Sequence, residues 1–550
     1  MMDFQISEYP FEKDYLIQIN QNRNAVNYPV VYIIFDDEKR LAYIGESTNV
    51  QGRMNQHLQH PEKRKLKYLY VVSSPYFNKS AALDIESNLI QYFTADATFK
   101  LLNANAGISA HNFYQKPEYF ELFSRLWDKL KLNKVVNRDL LALDNSDIFK
   151  YSPYKALSAD QNLAIQEILN ILKQEDSGHI FVQGSAGTGK TILAIYLIKL
   201  LNSKFDLSDY EDKETEVYQL LESIAEMNQI KVGLVVPMTS LRNTLKTVFG
   251  SIPGLKKSMV IGPTEVAKQK YDLLIVDEAH RLKRRKALTG YGAFDNVNRV
   301  LGFDKEEGTE LDWILKQSTH QIFFYDAAQS IRPTDIPEER FKALKSSGHL
   351  IPLKSQMRVK SGNDYIKFVR HLFHPEHENP YAPFKDDQYE LKVYDHLQDM
   401  LDALQEKEDQ VGLSRVVAGY AWPWISKNNP ELADAEIDGV SMTWNRSYQD
   451  WIHSALGVNE MGCIHTTQGY DLNYVGVIIG KDIGYDPVNN KIFVRKDNYF
   501  DAKGKQKTTE EDLKEYIINI YKTLMYRGIR GCYLYVCDDG LREYIKNSLG

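Results

Sequence analysis

The pattern of apolar and polar residues changes near residue 157. Before it, Pro29-Val-Val-Tyr-Ile-Ile-Phe35 is an apolar run of strand length, Asp36 to Arg40 a polar turn, and Leu41 to Ile44 a returning strand. A helix is expected through His57, another over about 80–94, and a charged helical connector over 114–150. From Leu157 onward, short apolar runs alternate with helical stretches: His179–Val182, Val232–Val236, Leu273–Val276 and Gln321–Tyr325. A second set follows beyond residue 350, at Val416–Gly419, Val475–Ile479 and Tyr533–Cys537. Such runs, spaced by helices, are what a parallel doubly wound sheet requires, because crossover helices cover both of its faces. Residues 202–230, with the acidic run Asp209 to Glu216, are strand-poor and read as an insertion.

Composition narrows the class. At 550 residues the chain is too long for one core and implies about three or four domains. Its net charge of −7 argues against passive adhesion to nucleic acid. Residues 1–150 are neutral, with 18 basic and 18 acidic side chains, so the remainder carries the whole excess. Basic residues still cluster at Lys63-Arg64-Lys65 with Lys67, and at Arg281 with Lys283 to Lys286; such runs are solvated faces unless a site claims them. No apolar run reaches membrane-spanning length, and Met1 to Gln5 lacks the blocks of a signal peptide. Three cysteines, Cys463, Cys532 and Cys537, form no CxxC pair. A reducing cytoplasm and no membrane partner are expected.

The sharpest local signal is Gly184-Ser-Ala-Gly187-Thr-Gly189-Lys190-Thr191, which fits GxxxxGK[ST] between a strand and an apolar helix. Glycines let backbone N–H groups close around phosphates, Lys190 reaches the outer phosphate oxygens, and Thr191 offers a hydroxyl to Mg²⁺. Downstream, the strand Leu273–Val276 ends in Asp277-Glu278-Ala-His280. Asp277 is then a Mg²⁺ ligand and Glu278 the group that polarises the attacking water.

The motif order over about 155–540 resembles a superfamily 1 helicase. Leu157-Ser-Ala-Asp160-Gln161 resembles the Q-motif, which implies that Gln161 reads adenine. Val236-Pro237-Met-Thr-Ser240-Leu241 resembles the single-strand-contacting motif, and Phe324-Tyr-Asp326-Ala-Ala-Gln329-Ser330 the motif whose glutamine senses the γ-phosphate. Ser355-Gln356-Met357-Arg358 and Tyr526-Arg527-Gly528 correspond to the motifs that supply two arginine fingers, and Gly462 to Asp471, with Gly469, to the motif between them. Tyr526 stands where the family usually has threonine. Ala418-Gly-Tyr420-Ala-Trp422-Pro-Trp424 and Trp444-Asn445 are similar to an uncharacterised bacterial family grouped with the Schlafen group 3 helicases. The three tryptophans are candidates for base stacking, with core packing as the ordinary alternative. The short interval from Ser240 to Asp277 leaves no room for a large inserted domain.

Val30-Val31-Tyr32 and Tyr43-Ile44-Gly45 resemble the paired motifs of GIY-YIG nucleases over about residues 28–110, with Val30 in place of the first glycine. Arg53 and His57, four apart, share a helix face, and Leu102-Asn103-Ala-Asn105 fits the asparagine that closes the family core. Glu86 lies on the apolar stripe 82/86/89/93, a costly place for a carboxylate without a partner. The resemblance implies that Glu86 binds a divalent metal, Mg²⁺ or Mn²⁺, that Tyr32 or Tyr43 helps to activate water, and that Arg53 stabilises charge on phosphorus.

The expectation is therefore an α/β chain: a small GIY-YIG module (1–113), a helical connector (114–152), and two RecA-like parallel α/β lobes (153–350 and 351–550). ATP and Mg²⁺ are the expected cofactors and nucleic acid, DNA before RNA, the partner, with self-association or protein partners left open. The expected activity is ATP-dependent nucleic-acid cleavage in anti-phage defence or repair; an ATP-switched sensor with a non-cleaving N-terminal module is the alternative.

Overall fold

In the computed structural model, residues 2–103, 113–155, 157–202, 230–286, 288, 290–326, 329, 334–356, 358–360, 362–375, 383–446, 451–454, 456–467, 470–502, 504, 505 and 508–549 are described. The acidic stretch 203–229, Asn105, Ser330 and Gly469 lie outside them. The chain divides into two units, one of Met1–Lys173, Thr191–Ile230 and Leu245–Met259, the other of Gln174–Lys190, Lys231–Thr244 and Val260–Gly550.

The first unit holds a five-stranded sheet of β1 (Gln5–Pro10), β2 (Val30–Asp36), β3 (Leu41–Ser47), β4 (Tyr68–Ser73) and β5 (Lys100–Leu101), in the order β1-β4-β2-β3-β5. The hairpin read from the sequence is β2–β3, with Tyr32 opposite Gly45 and Ile34 opposite Tyr43. All seven residues of β2 are buried, as expected for a central strand covered on both faces. Val30, Tyr32 and Ile34 join Val50 and Met54 of α1 (Val50–Gln59) in one core. Helix α2 (Lys79–Asp96) packs against β2 and β3, and α3 (Lys116–Leu132) against α2. The connector is helical, as read: α3 is followed by short helices at Leu140–Asp144 and Asp147–Lys150.

The second unit contains two parallel sheets. The first joins β6 (Gly178–Gly184), β7 (Val232–Val235), β8 (Val260–Ile261), β9 (Tyr271–Val276), β10 (Ser318–Tyr325) and β11 (His349–Leu353), in the order β11-β6-β10-β9-β7-β8. The second joins β12 (Glu390–Tyr394), β13 (Ser414–Ala418), β14 (Ala435–Ile437), β15 (Val440–Trp444), β16 (Glu460–Gly462), β17 (Leu472–Ile479) and β20 (Gly528–Val536), in the order β12-β20-β17-β13-β16-β15-β14. Only β14 runs antiparallel to its neighbour among these pairings. A separate hairpin is formed by β18 (Ile483–Asp486) and β19 (Lys491–Val494). This is the mixed α/β architecture expected. No helix among the described residues is long and apolar enough to cross a membrane.

Sheet order alone gathers the motifs. Adjacent strands β11, β6, β10 and β9 lead from their carboxyl ends into Gln356 and Arg358, the phosphate loop, Asp326, and Asp277-Glu278. Tyr470-Asp471 and Arg527 immediately precede β17 and β20 in the second sheet.

Candidate functional site

In the first unit the hairpin brings two tyrosines to one face of the sheet, and α1 lays His57 against both. Tyr32 Oη lies 2.8 Å from His57 Nε2, and the Tyr43 ring meets the imidazole edge-on at a centroid distance of 4.9 Å. The two phenol rings stack at 6.4 Å. Gly45 has a steric reason: a Cβ there would lie 2.3 Å from the Tyr32 hydroxyl. Asn49 caps α1 by accepting from Gly52 N at 3.0 Å, which fixes where the Arg53/His57 face begins. Arg53 is buried one turn before His57 and donates to Gln56 Oε1 at 2.9 Å. Burial, with the charges of Lys63, Arg53 and His60, pushes the His57 imidazole down to about 2, so its neutral form prevails at pH 7.

Asn103 closes the module from a distance. Its amide donates to Ile44 O at 2.8 Å and accepts from Ile44 N at 3.1 Å, so it holds β3 beside the Tyr43-Ile44-Gly45 triplet and has a structural task. Glu86 stands half-buried on α2 between Ala82, Leu89 and Phe93, which are fully buried. Thus Tyr32, Tyr43, His57 and Arg53 come together on one side, while Glu86 is contributed by a different helix. The sequence reading missed Lys63: its ammonium sits 3.9 Å over the Tyr43 ring.

The second unit assembles the phosphate loop. Gly187 and Gly189 adopt left-handed backbone with φ of 83° and 75°, which glycine alone enters without strain. At Gly184 a Cβ would strike the Thr188 hydroxyl at 2.4 Å. Lys190 donates to Gly184 O and Ser185 O at 2.7 and 2.9 Å and lies 3.8 Å from Asp326. Gln329 donates to the same Asp326 carboxylate at 2.7 Å, linking the expected γ-phosphate sensor to the loop lysine.

Asp277 is fully buried, and Glu278 turns the chain with φ 50°, a left-handed conformation that costs a non-glycine residue about 1–2 kcal/mol. His280 Nε2 lies 2.8 Å from the Glu278 carboxylate. Burial alone would raise the Glu278 carboxyl, but His280, Lys190 and Arg527 outweigh it and hold it well below the usual range. The carboxylate is therefore ionised.

Both expected fingers are present at this edge. The Arg358 backbone N–H donates to Gly187 O at 3.2 Å, while its guanidinium pairs with Asp471. Arg527, 2% exposed, donates to Tyr470 O and Thr523 O, each at 3.3 Å. Tyr526 ends the preceding helix and donates to Ile366 O, so the unusual residue is a core anchor. The reading also assigned no task to Gln356, whose amide donates to Ala186 O at 2.6 Å. Gln161 Oε1 accepts from Ser158 N at 3.0 Å, and Thr191 is the second residue of the helix Lys190–Asn202, both within the first unit.

The remaining expectations resolve by packing. Arg281 is buried against Asp335 at 3.2 Å, and Arg285 is held by Asp295 and Glu306, so ion pairs occupy this basic run. Trp444 is core, with half-buried Trp422 and Trp424 packed beside it.

Residues 177–538 match the model of the family described as Schlafen group 3, DNA/RNA helicase domain, and residues 28–100 match that of the GIY-YIG catalytic domain. A relative is the uncharacterized protein YPL245W of Saccharomyces cerevisiae, 27% identical over 433 residues that cover 70% of this chain and 90% of the yeast protein. Among solved structures, the helicase nonstructural protein 10 of an arterivirus in complex with DNA is 13% identical at a TM-score of 0.27; the match covers 67% of this chain and 63% of that one. A DEAD box protein of Methanococcus jannaschii is 12% identical at a TM-score of 0.24, with 75% and 94% covered.

Proposed function

Because this chain belongs to the Schlafen group 3 DNA/RNA helicase domain family through residues 177–538, and carries a GIY-YIG catalytic domain at residues 28–100, we propose that it is an ATP-driven, superfamily 1-type enzyme that binds nucleic acid, DNA by preference, and cuts it. Cutting rather than mere binding is carried by one observation: a neutral His57 lies 2.8 Å from the Tyr32 hydroxyl. Such an imidazole accepts the phenol proton while the Tyr32 oxygen takes one from the attacking water. Tyr43 orders the same imidazole, and Arg53 neutralises charge on the pentacovalent phosphorus. Among the described residues no three His, Cys, Asp or Glu side chains gather as metal ligands, so Glu86 offers a lone carboxylate. That donor fits Mg²⁺ or Mn²⁺, which keep several waters and share phosphate oxygens, and the bound ion would supply Lewis-acid charge at the phosphate.

In the motor, the motifs assign Lys190, Gly184, Gly187 and Gly189 to the ATP phosphates and Gln161 to adenine. Thr191 and Asp277 are the Mg²⁺ ligands, Gln329 with Gly469 the γ-phosphate sensing elements. The ionised Glu278 accepts from the hydrolytic water, and Arg358 and Arg527 neutralise the γ-phosphoryl. The working modules are 1–113, 114–152, 153–350 and 351–550. A nuclease coupled to such a motor suits destruction of foreign nucleic acid in the cytoplasm, and anti-phage defence is the role we assign. The test is cleavage of labelled single-stranded, duplex, forked and branched DNA and RNA, with Mg²⁺ or Mn²⁺, with and without ATP. Metal-dependent cutting of DNA supports the reading, and an uncut panel contradicts it.

A further inference from the structure

The basic run Lys63-Arg64-Lys65-Leu66-Lys67 does not behave as one solvated face. Lys65 and Lys67 are exposed and pair with Glu62 and Glu38. Lys63 is 3% exposed. A tight turn separates their fates: Arg64 N donates to His60 O, Lys65 N to Glu62 O and Leu66 N to Lys63 O. His60 Nδ1 also accepts from Lys63 N at 3.3 Å, and Leu66 anchors the turn in the core that contains Tyr32 and Tyr43. Lys63 cannot swing into solvent without unmaking these bonds.

We propose that Lys63 is a positioning residue of the nuclease centre, its buried ammonium holding the Tyr43 ring and, through it, the His57 imidazole in the arrangement that cleavage uses. The proposal rests on residues 28–100 acting as a nuclease. Three observations carry it. The ammonium lies 3.9 Å over the Tyr43 ring, a cation–π contact. That ring stands edge-on to His57, which in turn reaches the Tyr32 hydroxyl. Lys63 is also the largest electrostatic influence on His57 after burial itself, and it opposes a resting proton there. Burying an ammonium is expensive, and a methionine of similar length fills the same space without that cost. A charge retained at a core position that touches the reacting tyrosine is therefore doing something other than filling space.

Its effect belongs to the chemical step. Phosphodiester hydrolysis builds negative charge at the water-derived oxygen and on phosphorus, and a fixed cation behind Tyr43 stabilises that charge without gripping the strand in the ground state. The test compares full-length wild type with Lys63→Met, Lys63→Arg and the exposed control Lys65→Met. Single-turnover cleavage is measured with Mg²⁺ or Mn²⁺, and affinity for the same labelled DNA in EDTA. Lys63→Met is expected to slow cleavage about a hundredfold, with affinity, thermal midpoint and ATP turnover unchanged, while Lys63→Arg restores part of the rate. Cleavage by Lys63→Met within about threefold of wild type overturns the proposal. A second readout is independent of cutting: the ring resonance of Tyr43 in selectively ¹³C-labelled protein, assigned with Tyr43→Phe. It shifts in Lys63→Met and not in Lys65→Met, and an unmoved resonance overturns the proposal. A wild-type chain that cuts nothing counts against the nuclease reading, and the Tyr43 resonance then decides this one.

Discussion

The side-chain oxygen of Gln356 stands 2.0 Å from the point where a Cβ on Gly187 would lie. The same amide donates to Ala186 O, and its oxygen accepts from the Arg358 N–H at 2.9 Å, so the crest of the phosphate loop and the backbone of an expected finger share one side chain. Gly187→Ala must expel Gln356 and force a left-handed alanine at φ 83°. We expect loss of ATP turnover and a stability cost of about 1–3 kcal/mol, read by phosphate release and thermal melting. Wild-type turnover in that variant contradicts the arrangement.

The two fingers differ in how they are held, and their variants should differ too. Arg358→Ala and Arg527→Ala are each expected to lower kcat for ATP by about 10³–10⁵ while changing nucleotide affinity much less. Arg527 is buried and holds two carbonyls, so its loss also destabilises by about 2–4 kcal/mol. Arg358 pairs through its side chain with Asp471, and its removal costs little stability. Steady-state kinetics beside melting curves separates these outcomes.

His57 sets a pH dependence. Its folded value, about 2, lies below the ordinary 6.5, so the unfolded chain takes up the proton first on acidification. The stability linked to His57 is complete above 6.5 and is lost as pH falls from there toward the folded value. Cleavage measured while the protein remains folded should show no inflection at 6.5. A rate falling along a single titration centred there contradicts a neutral, buried His57.

Asp482 gives the opposite sign. Burial pushes its carboxyl up to about 7 from 3.8, with Tyr521 donating to it at 2.6 Å. As pH rises between these values the unfolded chain releases the proton while the folded chain keeps it, so stability falls. Asp482→Asn keeps an acceptor for Tyr521 and removes the cost, stabilising by about 1–3 kcal/mol at pH 8, with the gain shrinking toward pH 4. Equal melting shifts at both pH values contradict this assignment.

What the sequence made legible was local. The phosphate loop, the acids after β9 and the β2–β3 hairpin announce themselves by spacing within about a dozen residues, because turns and strand ends impose particular residue types there. Tyr32, Tyr43 and His57 followed from one motif set, and the structure joins them. Edge strand β1 went unread: Gln5–Pro10 is polar, half-exposed and ends in proline. Lys63 was hidden in a run of charges, since only the turn after α1 decides which lysine goes inward. Gln356 reaches a loop about 170 residues away in sequence, a pairing that strand order β11-β6 creates and no local pattern reveals. The left-handed Glu278 was equally invisible, because residue type alone favours glycine or asparagine there.

The central claim, an ATP motor and a nuclease with separate chemistry in one chain, is tested most directly by measuring DNA cleavage and DNA-stimulated ATP turnover side by side in wild type, Glu86→Ala and Glu278→Gln. Glu86→Ala should stop cleavage and leave ATP turnover nearly intact, because its carboxylate serves only the phosphodiester; Glu278→Gln should bind ATP and stall its hydrolysis. Loss of ATP turnover in Glu86→Ala, or undiminished cleavage by it, would contradict the account.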